Sequence, residues 1–462
     1  MSLPTPQGKQ SRVIYLPARG HQVVLGTAGT GKTVMAIFRA AHLSNPATPG
    51  FGRTLLATYN RTLVTYLNYL SPAQQANLTI ETFGRFGRGY LHSRSKMRQR
   101  GIADAFQRRA LIQQALTEVA SGYKPHTFFD RDIGWFEDEL AWIDGSGILT
   151  KTDYRAVKRR GRQTALHDSL REVVWKVREQ YRHARTDKGL EYDWHDLAST
   201  VLTELRSDSS ERRYRHVVID EGQDLSPQEL RSLAAAADPD GSVTFFGDYA
   251  QQIYGQDMSW RSCGLTVRAV EEFKDNYRNS TQIARVAIAL SEMPQLRGAI
   301  TDLVEPVAPT AAGPPPTLVQ CADEEREIAV TQVRAKVLGA VGKVAVLART
   351  WDDARRACRG LPYISLNTEM GVWHERPGIY CGAYHSAKGL EFDAVILPFC
   401  GGARMPHPET VAAFGPDEAA TRESKLLYVG ITRARSDLLI TYSGELSSLL
   451  PTTAGLFATV RA

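Results

Sequence analysis

The stretch "GTAGTGKT" (residues 26–33) fits the pattern G-x-x-x-x-G-K-[ST], and its setting matters as much as its letters. It follows the apolar run "HQVVLG" (21–26) and opens into "KTVMAIFRAAHL" (32–43), whose apolar spacing predicts a helix. A strand, a glycine-rich turn and a helix in that order let backbone N–H groups close around phosphate oxygens at the positive end of the helix dipole. Gly26, Thr27, Ala28, Gly29, Thr30 and Gly31 would form the cradle. Lys32 would reach the β and γ phosphates of a nucleoside triphosphate, and the Thr33 hydroxyl would ligate magnesium.

Such a loop needs an acidic strand end elsewhere to hold the metal and orient water. "VVIDEGQD" (217–224) supplies one, with Asp220 placed for the magnesium shell and Glu221 placed as base toward the attacking water. Short apolar runs recur at "RTLLATY" (53–59), "LTIETF" (78–83), "RHVVID" (215–220) and "SVTFFGD" (242–248), with helical stretches between several of them. That alternation predicts an α/β fold built on a parallel sheet. Residues 91–188 carry few strand candidates and read as a helical insertion. After the Pro-rich connector "EPVAPTAAGPPPT" (305–317), alternation resumes with "TLVQC", "KVAVLAR", "FDAVILP" and "DLLITY", which predicts a second α/β domain.

A chain of 462 residues exceeds one compact core. Its 43% hydrophobic and 23% charged residues are those of an ordinary globular protein. The five cysteines never fall in a Cys-x-x-Cys spacing, so neither a disulfide framework nor a zinc site is indicated, and a reducing, cytoplasmic setting is expected. No apolar run approaches a membrane span, and the N-terminus lacks an apolar signal core. The net charge of +6 is unevenly spread: residues 85–188 hold 22 Lys or Arg against 13 Asp or Glu, the bias a polyanion partner such as nucleic acid would require.

Six motifs in order, "GTAGTGKT", "VVIDEGQD", "FFGDYAQQIY" (245–254), "DNYRNS" (275–280), "YHSAKGLEFDAV" (384–395) and "LLYVGITRARSDLLI" (426–440), resemble those of the UvrD/Rep-like (PcrA-like) helicases of superfamily 1A. The resemblance implies two RecA-like domains that bind ATP and magnesium between them and walk 3′ to 5′ along single-stranded DNA, acting at single-strand/duplex junctions in repair, recombination or phage defence. It implies that Gln10 reads the adenine edge, that Gln223 and Gln251 sense the γ-phosphate, and that Tyr277 stacks on adenine. Arg278 and Arg433 would be the arginines that reach the transferring phosphoryl group, and Glu391 would bond the ribose. "TYNRTL" (58–63) and "ETFGRF" (81–86) stand where the family touches the DNA backbone, which points to Thr58, Asn60, Thr82 and Phe83. Tyr254 and Trp260 resemble its base-stacking aromatics, and His385 and Lys388 would face the DNA backbone.

The lysine and glycine of "YHSAKGLEFDAV" are not a second phosphate loop, because the glycine spacing is wrong; a loop that must touch both ligands accounts for its crowded charges. Where relatives of this family carry a large domain 2B, only "NTEMGVWHERPGIYCGA" (367–383) fills the interval. The expected organisation is therefore 1–90 and 189–275 as domain 1A, 91–188 as a 1B-like insertion and 276–462 as domain 2A, without 2B. A switch subunit that hydrolyses ATP on DNA within a repair or defence complex, with little unwinding of its own, is the alternative reading.

Overall fold

The computed structural model describes residues 5–6, 9–27, 29–59, 61–70, 76–97, 101–159, 162, 165–208, 214–248, 260–273, 276, 279–297, 312–367, 373 and 376–462. Two parallel sheets carry the architecture. The first holds β1 (Gly20–Gly26), β2 (Thr54–Thr58), β3 (Leu78–Thr82), β4 (Tyr214–Ile219), β5 (Ala237–Asp248) and β6 (Val267–Phe273), in the order β3-β2-β4-β5-β1-β6. The second holds β7 (Thr317–Cys321), β8 (Lys343–Ala348), β9 (Ile364–Ser365), β10 (Gly378–Ala383), β11 (Phe392–Leu397), β12 (Ala434–Ser443) and β13 (Ala458–Arg461), in the order β13-β7-β12-β11-β8-β10-β9. Helices on both faces explain why β2 is buried at every position, as a central parallel strand must be.

Strand order places the chemistry. β5 lies between β1 and β4, with Gly26 opposite Asp248 and Ile219 opposite Phe245, so the turn after β1 and the acidic turn after β4 open at the same edge of the sheet. In an open parallel sheet ligands bind at the carboxyl ends of the strands. The edge strands β3 and β6 are only partly covered.

Between β3 and β4 the chain forms helices Ala105–Ser121, Ile133–Ser146, Lys151–Ala156 and Asp168–Asp187, which share a separate core that includes Ile112, Phe136, Ile143 and Val174. This helical body corrects one inference from the charge count. Arg108 pairs with Asp193, Arg159 with Glu139, Arg178 with Asp144 and Arg185 with Asp196, and in each pair both side chains are less than one-tenth exposed. Buried carboxylates demand such partners. Arg159 and Arg178 cancel acids already in the count, but Arg108 and Arg185 are neutralised by Asp193 and Asp196 beyond it, so that part of the surplus offers nothing to a polyanion.

Candidate functional site at the strand ends

The glycine-rich turn leaves β1 with Gly29 at φ +84° and Gly31 at φ +81°, values an L side chain rarely adopts. Gly31 also has no room for one, because an added Cβ would stand 2.8 Å from the Gln10 amide nitrogen. Gln10 is buried and donates to the Thr30 carbonyl at 3.0 Å, so it lies against the turn. Helix Lys32–Ser44 starts at Gly31, which leaves its first N–H groups facing the turn. The Lys32 ammonium donates to the Gly26 and Thr27 carbonyls at 2.9 and 2.7 Å and lies 3.6 Å from Asp248 at the end of β5.

Opposite stands the acidic turn. Asp220 is fully buried, its N–H bonded to Ala57 of β2 at 2.8 Å, and neither of its carboxylate oxygens has a hydrogen bond of good geometry. Burial, reinforced by the Glu221 charge, pushes its pKa up to about 8, against the pull of the nearby Thr33 hydroxyl and Lys32 ammonium. Burial also opposes ionisation of Glu221, yet Lys32, Lys388 and Arg433 together hold its pKa below the usual carboxylate range. Two adjacent acids are thus driven apart, one toward the neutral form and one firmly charged. Opposed shifts of this kind in a cleft make the two acids functional candidates.

Glu221 adopts a left-handed φ of 51°, uncommon outside glycine. Neighbours hold the strained turn: Gln223 donates to Glu221 and accepts the Asp248 N–H at 3.1 Å. At Gly222 an added Cβ would lie 2.1 Å from the Phe245 ring. The Trp260 ring packs edge-on against that same Phe245, with centroids 5.0 Å apart. Trp260, half-buried, is therefore one ring removed from the acidic turn.

The second sheet contributes two cations. After β10 the chain makes a short turn, Tyr384–Ala387, and Lys388 then reaches across to pair with Asp224 of the first sheet. Asp224 is pushed up to about 6 by burial, which Lys388 only partly counters and Glu221 reinforces. Gly389, at φ +78°, presses on Leu63, where an added Cβ would fall 2.7 Å from a side-chain carbon. Arg433 caps the long helix Pro416–Thr432 and is 4% exposed. Its guanidinium donates to the Val429 and Leu390 carbonyls at 3.0 and 3.4 Å and to the Thr432 hydroxyl at 3.1 Å. Glu391, half-buried, leads into β11, and His385 is exposed.

Other expected residues sort by position. Thr58 ends β2, fully buried, with its hydroxyl lacking a partner. Thr82 caps helix Phe83–Ser93 by accepting the Arg85 N–H at 3.2 Å. Phe83 is a correction: at 2% exposure and edge-on to Phe86 it belongs to the core and leaves no face for a base. Ala28, Asn60, Gln251, Tyr254, Tyr277 and Arg278 lie outside the described residues. Two exposed aromatics escaped the sequence reading. Tyr59, half exposed, follows β2, and Trp194, 40% exposed, covers Gly84, whose added Cβ would lie 3.0 Å from the indole. No local sequence signal marks Trp194, because its contact with Gly84 arises only on folding.

A nucleoside triphosphate with its magnesium fits these residues. The glycine turn would receive phosphate oxygens, and Lys32 would move from carbonyls to phosphate. The unpartnered oxygens of Asp220 and the buried, unpartnered Thr27 hydroxyl are polar atoms that such a ligand would satisfy.

Known proteins resemble the chain as a whole. "ATP-dependent DNA helicase UvrD2" of Mycobacterium tuberculosis is 24% identical over 552 residues, covering 94% of this chain and 78% of the relative. "Putative ATP-dependent DNA helicase YjcD" of Bacillus subtilis is 25% identical over 252 residues, 51% of this chain and 31% of its own. Among solved structures, the C-terminal domain of a possible DNA helicase from Lactobacillus plantarum matches 40% of this chain and 98% of its own at 20% identity, with a TM-score of 0.29. The UvrD-like helicase C-terminal domain matches residues 367–445. The UvrD/REP helicase N-terminal domain matches residues 7–276, more than half of the chain, and the protein belongs to the UvrD/REP helicase family.

Proposed function

We propose that this chain is an ATP-driven, 3′ to 5′ single-strand DNA translocase or helicase, with magnesium held by Thr33 and Asp220. The observation that carries the reading is the joint site: Lys388 of the second sheet pairs with Asp224 in the acidic turn of the first, and Arg433 lies near enough for its charge to act on Glu221 with those of Lys32 and Lys388. A site divided between two sheets changes when the sheets move, which is what a motor requires.

The chain's own groups have distinct tasks. Glu221, charged and fixed by Gln223, orients water and accepts its proton. When bound, the metal would neutralise phosphate charge beside Asp220. Lys32 and Arg433 approach the transferring group from opposite sides, and an arginine's fixed planar charge suits phosphoryl oxygens. The route from DNA to this chemistry runs from Trp260 to Phe245 to Gly222, three groups in contact.

Tyr59 follows β2, Trp194 covers Gly84 just past β3 and Trp260 packs on Phe245 of β5, places where bases could stack regardless of sequence. Replacing Trp194 or Trp260 by Ala is expected to weaken binding of single-stranded oligonucleotides by about 1–3 kcal/mol each. Gly84→Val, which pushes the Trp194 ring outward, should do the same. Fluorescence anisotropy showing wild-type affinity in all three would remove these rings from the DNA path.

We further infer that domain 2B is absent and that 1A, the helical insertion and 2A make up the chain. The residues from the end of β9 to the start of β10 number only about a dozen, and the alignment with the mycobacterial relative extends over 552 residues against 462 here. Duplexes with a 3′ or a 5′ single-stranded tail, incubated with ATP and magnesium, test the function. Strand separation on 3′-tailed DNA alone supports the motor. Turnover of ATP without separation on either would make the chain a DNA-dependent switch in a larger complex.

A further inference from the structure

Helix Ile133–Ser146 of the helical insertion touches both sheets' domains, one at each end. A 14-residue helix is about 21 Å long. At its carboxyl end Gly145 lies against Ser226, where an added Cβ would meet the serine Cβ at 3.0 Å, and Arg231 donates to the Ser146 carbonyl at 2.9 Å. Ser226 caps the helix that follows the acidic turn. At its amino end Gly134 faces Ala413, and Asp138 takes a two-pronged ion pair from Arg422 at 3.2 and 2.8 Å. Arg422 belongs to the helix that Arg433 caps, and its guanidinium stacks 3.8 Å over Phe414, which packs against the insertion's core. One helix therefore connects the base of Glu221 with the carrier of Arg433.

The two ends differ in what separation would cost. The carboxyl end is tied to the first sheet's domain by close backbone packing and, through the chain itself, by covalent bonds. The amino end rests on an ion pair whose side chains are about one-third exposed, beside the small Gly134–Ala413 contact and the Phe414 ring. Each partner there has a second one: Asp138 also pairs with Arg162, and Arg422 with Glu418. Parting Asp138 from Arg422 strands neither charge, because each keeps its second partner. This is the composition of a contact made to be broken.

We propose that helix Ile133–Ser146 is a strut fixed to the first sheet's domain, and that its Asp138–Arg422 end detaches from the second during each ATP cycle. The inference rests on the motor reading, because only moving sheets need a releasing end. The ideal Cβ of Gly134 lies 3.7 Å from the Ala413 Cβ, within the range a disulfide spans. The five native cysteines are free and buried, so diamide should act on an introduced Gly134→Cys/Ala413→Cys pair.

In the nucleotide-free protein the cross-link should form readily. With single-stranded DNA and a non-hydrolysable ATP analogue the yield should fall severalfold. The cross-linked protein should lose at least tenfold of its DNA-stimulated ATP hydrolysis and recover it on reduction. Failure to cross-link without nucleotide, a yield indifferent to DNA and analogue, or full hydrolysis by the cross-linked form would each overturn the strut. The reduced protein separates the two claims: if it hydrolyses no ATP with DNA, the motor reading fails, and the cross-link yields still judge the strut.

Discussion

Lys32→Ala is expected to lower DNA-stimulated ATP turnover by about 10²- to 10³-fold, the range seen when a preorganised charge or donor is removed from a reacting oxygen's position. The side chain is 7% exposed and bonded to two carbonyls of its own turn, so the ammonium is already enclosed where phosphates would arrive. Its charge also sustains Glu221 in the ionised form and offsets Asp248 at 3.6 Å. Removal thus takes a phosphate ligand and raises the pKa of the base in one step, so kcat should fall more than ATP affinity. Unchanged circular dichroism would certify the fold. Wild-type steady-state turnover in the variant would sink the assignment of the turn to phosphate.

What could be read from the sequence was whatever a single local rule controls. The run 21–26, the glycine turn and the helix after it are each set by neighbouring residues, and β1 and helix Lys32–Ser44 stand where those rules put them. Central strands such as β2 and β8 announce themselves because burial on both faces demands an unbroken apolar run. β6, "VRAVEEF", is an edge strand with one neighbour, and its exposed charges hid it. β10, "GIYCGA", is buried but carries glycines that strand propensity disfavours.

The site was legible in its chemistry and less so in its partners. Lys32, Asp220 and Glu221 stood out because phosphate transfer, the chemistry expected of the glycine turn, restricts residue type. Asp248 and Asp224 matter only because β5 lies beside β1 and because Lys388 crosses from the other sheet, relations that emerge on folding. Trp194 and Phe83 show the same limit from both sides. Phe83 sits in the segment that resembles a DNA contact yet turns inward, whereas Trp194, over a hundred residues further on, turns outward onto that segment. Net charge is coarse for a related reason: a count over 85–188 does not see that Arg185 is neutralised by Asp196, a buried acid outside that span.

Arg433→Ala should produce the largest loss, about 10³- to 10⁵-fold in kcat, if the residue meets the transferring phosphoryl group as an arginine finger does. Three neutral oxygens, from Val429, Leu390 and Thr432, hold its guanidinium at the end of a 17-residue helix, so its position follows the second sheet's. Its charge is nonetheless felt by Glu221 of the first sheet. A residue fixed to one body and acting on the other is the natural place for movement to control rate. Arg433→Lys should not restore activity, because an ammonium cannot span the Val429 and Leu390 carbonyls and present a planar fork to the phosphoryl oxygens. The discriminating measurement is the split between kcat and KM for ATP at saturating DNA. A finger acts in the transition state, so kcat should collapse while KM shifts little; a loss confined to KM would make Arg433 an ordinary ground-state binder. Because truncation also takes the arginine donor from the Leu390 carbonyl, while Val429 keeps the Thr432 hydroxyl, the thermal unfolding of both variants must be compared. Lysine, which keeps the charge but not the fork, separates lost geometry from lost electrostatics.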